Sequence, residues 1–166
     1  MKKILVVLLL LFTSLTPANA ANTCDSVKRD VGVKKGAALQ CFTDTNTYFF
    51  ESLRGPVIIN FWGSWCAPCL DEIPYFRSFT KKYPTVNLVG IDVEERKIQD
   101  GQTFAKKHRM NWPNFYDATG STRGITGVGV PITLFVDESG KIKYKKIGVL
   151  RNFKELEKLS QKYLGK

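Results

Sequence analysis

An α/β fold, a mixed central sheet flanked by helices with an N-terminal extension, is predicted for this chain of 166 residues. Three observations predict it. Two short, continuously apolar runs, residues 57–61 and 86–91, alternate with stretches of helical periodicity, as parallel strands buried on both faces do. Two later strand-like segments are separated by Glu138, Ser139 and Gly140, a hairpin signal that brings in antiparallel pairing. Ahead of both patterns, residues 21–54 carry two cysteines and no clear period.

In order along the chain, residues 1–20 combine Lys2 and Lys3 with an apolar run from Ile4 to Phe12 and a small-residue ending at Ala18-Asn19-Ala20. That is the pattern of a secretory signal peptide cleaved after Ala20, and its apolar core falls short of the about 20 residues that span a bilayer. Retention as an uncleaved anchor is the alternative. Residues 21–54 form the lead-in, and the chain changes character at Arg54-Gly55-Pro56, so a second unit is assigned to residues 55–166. There the first strand covers 57–61. A helix from about Cys66 to Lys82 follows, with Leu70, Ile73, Phe76 and Phe79 at helical spacing, and Pro84 stops it. The second strand is 86–91, then come a helix in 96–109, a short strand at 114–116 and a helix-like turn at 121–126. The hairpin strands are 132–137 and 141–149. The last helix opens at Asn152 with Glu155 three residues on, a capping box, and turns Phe153, Leu156, Leu159 and Tyr163 inward.

Composition narrows the function. The formal charge of +10 falls to +8 once Lys2 and Lys3 are removed, which describes a solvated basic face or attraction to an anionic surface or acidic partner. Nucleic acid is excluded as a partner, since no recognition motif with stacking aromatics is present. All four cysteines lie in the exported part, where disulfides persist.

Cys66 and Cys69 sit in Trp65-Cys66-Ala67-Pro68-Cys69, a C-x-x-C that opens a helix. Free backbone N–H groups and the positive end of the helix dipole stabilise a thiolate there, and the second sulfur lies one turn on, within bonding reach. Cys66 is therefore assigned as the nucleophile and Cys69 as the resolving thiol. Pro68 suits a first helical turn. Zinc would want a second close cysteine pair or more histidine than His108, and c-type haem would want His where Leu70 stands, so no metal or cofactor is expected.

Residues 57–164 resemble the TlpA/ResA/DsbE-type branch of exported thioredoxin-like proteins. The marks are VIINFWGSWCAPCLDEIP at 57–74 and GVGVPITLFVDESGKI at 127–142. The resemblance implies a thioredoxin-like fold. It also implies a cis bond before Pro131, which lies beside the redox pair, backbone hydrogen bonds from Val130 to an extended substrate, and a substrate contact from Trp65. Glu72 matches the family's acidic residue near the active site and is expected to help deprotonate Cys69; its alternative is an exposed helix-face acid. Asn60 stands where cytoplasmic thioredoxins carry a buried Asp, and Asn cannot act as a base. Asp71 is expected to face solvent. Pro74 matches a helix proline expected to kink its helix.

Cys24 and Cys41 depart from the family pattern. They are read as a structural disulfide stapling the lead-in, with a second redox relay as the rival. The implied function is extracytoplasmic thiol-disulfide exchange with cysteines of exported proteins, served by a membrane redox partner. The direction favoured is a reductant, in cytochrome c maturation or general thiol reduction. An oxidant that forms disulfides is the alternative, and a non-catalytic peptide-binding module is the alternative of another class. Oligomeric state is not legible.

Overall fold

The computed structural model describes residues 23–127 and 129–166. The expected signal segment and its cleavage point lie outside the described residues, and among those no helix is long and apolar enough to cross a membrane.

The strands are β1 (Ala38–Cys41), β2 (Thr47–Phe49), β3 (Val57–Trp62), β4 (Asn87–Val93), β5 (Asn114–Asp117), β6 (Ile132–Val136) and β7 (Ile142–Ile147). The helices are α1 (Ala67–Lys82), α2 (Ile98–Lys107), α3 (Arg123–Thr126) and α4 (Phe153–Leu164). The seven strands form one sheet in the order β2-β1-β5-β4-β3-β6-β7. β3 pairs parallel with β4, from Val57 opposite Asn87 to Trp62 opposite Asp92, and β4 pairs parallel with β5. β6 and β7 add on antiparallel beyond β3. Every residue of β3 is buried, as a central strand covered on both faces requires.

Two cores follow from the two faces. Ile59, Phe61, Val89, Ile91, Phe115 and Leu134 belong to one, together with Cys24, Leu39, Cys41 and Tyr48 of the lead-in. The other gathers Ile58, Trp62, Cys66, Cys69, Phe76, Phe79 and Leu156 under α1 and α4.

The structure departs from the sequence reading in four places. The lead-in is not unpatterned: β1 pairs antiparallel with β5 and with β2, extending the same sheet by two strands. On α1, Leu70 is exposed, whereas the buried face carries Cys69, Glu72, Ile73, Phe76 and Phe79. At α4, Asn152 Oδ1 accepts from the Glu155 N–H at 2.9 Å, but the Glu155 carboxylate accepts from Arg151 N–H at 2.7 Å instead of from Asn152, so the reciprocal half is shifted by one residue. β7 stops at Ile147, because Gly148 takes φ +76° and turns the chain.

Candidate active site

β3 delivers the chain to the Gly63-Ser64-Trp65 loop and directly into α1. Cys66 is the N-cap of that helix, in extended conformation (φ −86°, ψ 97°), with Pro68 in the first turn. Its backbone N–H donates to Gly63 C=O at 3.0 Å. Its Sγ accepts from the Cys69 N–H at 3.3 Å, one of the donors that an α-helix leaves unpaired at its start. Cys66 and Cys69 are joined by a disulfide, with Cα atoms 5.4 Å apart. Cys66 is only 3% exposed, although a reactive thiolate ordinarily sits in a partly exposed place. The sulfur points into the helix start and is bonded to its partner one turn on.

The loop ahead of Cys66 is held from outside. Ser64 N–H donates to Glu95 Oε1 at 2.5 Å, and the Glu95 carbonyl accepts from Tyr116 Oη at 3.0 Å. The Trp65 indole lies so close over Gly63 that a Cβ there would sit 2.6 Å from Nε1, so only glycine leaves room. Trp65 itself is 51% exposed, while Trp62 is buried and stacks on Phe104 at 5.2 Å.

The Val130–Pro131 bond is cis. Val130 packs on the cluster that contains both active-site cysteines, and it lines one narrow cleft with Trp65, Glu94, Arg123 and Gly129. Across this cleft Arg123 faces Glu94 at 3.5 Å. The α3 turn that carries Arg123 is anchored by Asp117, whose carboxylate accepts from Thr122 N–H and Oγ1 and from Ser121 N–H and Oγ. Burial opposes the Asp117 charge, but these four donors prevail and hold its pKa below the usual carboxylate value.

Glu72 is fully buried, which removes the exposed helix-face alternative. It lies three residues beyond Cys69 on α1, hence on the same helix face. Oε2 accepts from Asn60 Nδ2 at 3.2 Å, and Oε1 accepts from the Leu150 N–H at 2.5 Å. Asn60 Nδ2 also donates to Thr133 Oγ1 at 3.2 Å. Burial pushes the Glu72 carboxyl up to about 7, against the pull of the Leu150 and Asn60 donors and the Lys146 charge. Asp71 next to it is exposed. α1 continues through Pro74.

Cys24 and Cys41 are joined by a second disulfide, both buried, with Cα atoms 6.1 Å apart. Their sulfurs and an Asp44 oxygen lie within 4.8 Å of one another, but the bonded sulfurs have no thiolate to give a metal ion. His108 ends α2, with its ring 4.4 Å from that of Phe104.

Residues 35–145, more than half of the chain, fit the family model described as AhpC/TSA. The chain belongs to the AhpC/TSA family. Among its relatives, the thiol-disulfide oxidoreductase ResA of Bacillus cereus is 33% identical over 102 residues, covering 59% of this chain and 58% of the relative. The chain thus spans less than two thirds of the length of that relative. The crystal structure of StoA from Bacillus subtilis superposes with a TM-score of 0.62 at 25% identity, covering 77% of this chain and 98% of the other. A thioredoxin-like protein of Porphyromonas gingivalis gives a TM-score of 0.68 at 21% identity, covering 79% and 91%. The thioredoxin-like fold of this AhpC/TSA member is thereby shown, and the ResA and DsbE likeness read from its sequence is found again among its relatives.

Sequence reasoning missed four groups here. The Leu150 N–H is a backbone donor 78 residues from Glu72, with no side-chain signal to announce it. Glu95 and Arg123 carry no spacing or motif that marks them in the sequence. A buried Asp92 one strand from Trp62 also escaped it.

Proposed function

We propose that the chain is an extracytoplasmic thiol-disulfide oxidoreductase that exchanges its Cys66–Cys69 disulfide with cysteines of exported proteins. The observation that carries this reading is the placement of Cys66 at the N-cap of α1, with its sulfur receiving the Cys69 N–H and bonded to Cys69. With the pair reduced, the same donor and the helix dipole favour the Cys66 thiolate. That thiolate attacks one sulfur of a client disulfide, forming a mixed disulfide and expelling the client's other sulfur as a thiolate. Cys69, losing its proton to Glu72, then attacks Cys66, which expels the client's second sulfur as a thiolate and restores the intramolecular bond; Glu72 returns one proton to the client and solvent supplies the other. Two electrons pass to the client and none are left over. A carboxyl near pH 7 in its titration suits this transfer, because it is a competent base and a competent acid in the same range.

The cleft between Trp65 and Val130 would receive the client strand beside the cis Pro131. The direction we favour is reduction, in cytochrome c maturation or general thiol reduction, with a membrane redox partner recharging the pair. This rests on the resemblance to the TlpA/ResA/DsbE-type branch.

The test is a Cys69→Ala variant expressed with its natural leader. It should accumulate mixed disulfides through Cys66 on exported proteins, visible as adducts that collapse on reduction, while Cys66→Ser gives none. Absence of adducts with the Cys69→Ala protein would remove exchange as its role.

A further inference from the structure

We propose that Lys146 is a positioning residue for Glu72, acting through the single peptide group that joins Val149 to Leu150. The inference rests on the reading of Glu72 as the base for Cys69, and it adds a residue that neither the motif nor the family resemblance contains.

The geometry begins at the end of β7. Lys146 Nζ donates to three successive carbonyls, Ile147 at 2.9 Å, Gly148 at 3.2 Å and Val149 at 3.0 Å. An ammonium has three N–H donors, so the group is fully matched, and the turn at 147–149 is wrapped around it. The third carbonyl decides the matter. Val149 C=O and Leu150 N–H are the two ends of one peptide unit. Among the described residues only Gly55–Pro56 and Val130–Pro131 are cis, so in this unit the two groups point in opposite directions. Its oxygen takes the Lys146 proton donor, and its N–H gives the 2.5 Å bond to Glu72 Oε1. A cation on the oxygen polarises the amide and strengthens its N–H as a donor, a chained effect that low dielectric magnifies. Lys146 thereby favours the ionised form of a fully buried carboxylate without touching it, through the peptide and through its own field.

The same turn reaches the client side of the site. Gly148 N–H donates to Pro131 C=O at 3.0 Å, so the segment that Lys146 organises is bonded both to Glu72 and to the cis proline. The groups that face Glu72 are few. Asn60 from β3 donates to it, Lys146 from β7 opposes its protonation, and Glu155 from α4 favours it. Glu155 is itself paired with the Arg151 guanidinium at 3.3 Å, which blunts its effect. Among the described residues, Lys146 is the cation that joins the Leu150 and Asn60 donors in countering the burial of Glu72.

The experiment is a carboxyl carbon-13 NMR titration of Glu72 in the mature full-length protein, the signal assigned with Glu72→Gln. Wild type is compared with Lys146→Met and Lys146→Arg. In parallel, release of glutathione from a Cys66 mixed disulfide is followed across pH. Lys146→Met should raise the Glu72 midpoint by about one pH unit, so the ratio of ionised to protonated Glu72 at fixed pH falls about tenfold. Lys146→Arg, which keeps the charge, should move the midpoint less than half as far. A folded Lys146→Met protein with the wild-type midpoint overturns the proposal, since a lysine that merely stiffens the hairpin would leave that midpoint in place. If the Met variant does not fold, Lys146→Gln removes the charge while keeping a donor and is judged by the same criterion. If the midpoint moves and the release profile does not, Lys146 keeps its role and Glu72 loses the one proposed for it.

Discussion

Asp92, next to last in β4, has a carboxyl group that is wholly inaccessible and has no hydrogen-bond partner for either oxygen among the described residues. Gly101 of α2 packs so tightly on it that a Cβ there would overlap the carboxylate. Burial first, and then the charges of Glu95 and Asp100, push its pKa up to about 9. The consequence for stability has a definite sign. The folded state keeps this proton where the unfolded chain, with a value of 3.8, has lost it, so folding binds more protons between about pH 4 and 9. Stability therefore falls as pH rises through that window, by about 1.4 kcal/mol per pH unit from this group. Glu72 adds a slope of the same sign between 4.5 and about 7. Asp92→Asn should match wild type near pH 4 and exceed it progressively toward pH 8, with its remaining slope confined below pH 7. Urea unfolding at pH 5, 6.5 and 8 checks this; parallel slopes in the two proteins would refute it. At this scale the sequence shows chemistry carried by local spacing, such as Cys66, Cys69 and Pro68, and hides chemistry made by burial. Glu72 was singled out by its place in a motif, but its Asn60 and Leu150 partners are brought to it by the sheet and by a turn 78 residues away. Asp92, directly after the apolar run 86–91, looks in sequence like nothing more than a strand end.

Among the elements, those with their own period were legible. β3, α1, β4, α2, β5 and the β6–β7 hairpin fall where apolar runs, helical spacing and turn residues put them. β1 and β2 were not, because four-residue and three-residue strands carry too little pattern. Their extended form comes from pairing with each other and with β5. The Cys24–Cys41 disulfide makes that pairing durable. It bridges 17 positions, fastening the turn at Cys24–Ser26 to the end of β1, and both sulfurs lie in the core. Replacing both by alanine should cost about 3 kcal/mol by loss of the loop constraint on the unfolded chain. Denaturation midpoints would show the loss, while the exchange rate at Cys66 stays at the wild-type value. A double variant that folds as well as wild type but exchanges slowly would instead make this pair a relay.

For the whole molecule, the open quantity is the direction in which electrons run through the Cys66–Cys69 pair, and the potential of that pair integrates every feature of the site. The α1 N-terminus and the Cys69 N–H favour the Cys66 thiolate and so stabilise the reduced form. Against them stand the 3% exposure of both cysteines and the neighbouring Glu72 carboxylate, which disfavour thiolate charge and so favour the bonded form. A thiolate denied solvation and faced by a second anion gains little from a helix dipole, which is worth roughly 0.3–1 kcal/mol at an exposed helix end. The balance therefore tips toward a stable disulfide, meaning a low potential and a reductant that an electron donor must recharge. Equilibration of the mature protein against dithiothreitol or glutathione, with Cys24–Cys41 intact, should give a value at or below about −250 mV, in the range of thioredoxin. A value of roughly −120 to −180 mV, in the range of disulfide-forming catalysts, would reverse the direction and end the cytochrome c reading. Raising pH from 6 to 8 should lower the potential, since protons are taken up with the electrons. Glu72→Gln should raise it, because a neutral neighbour no longer penalises the thiolate.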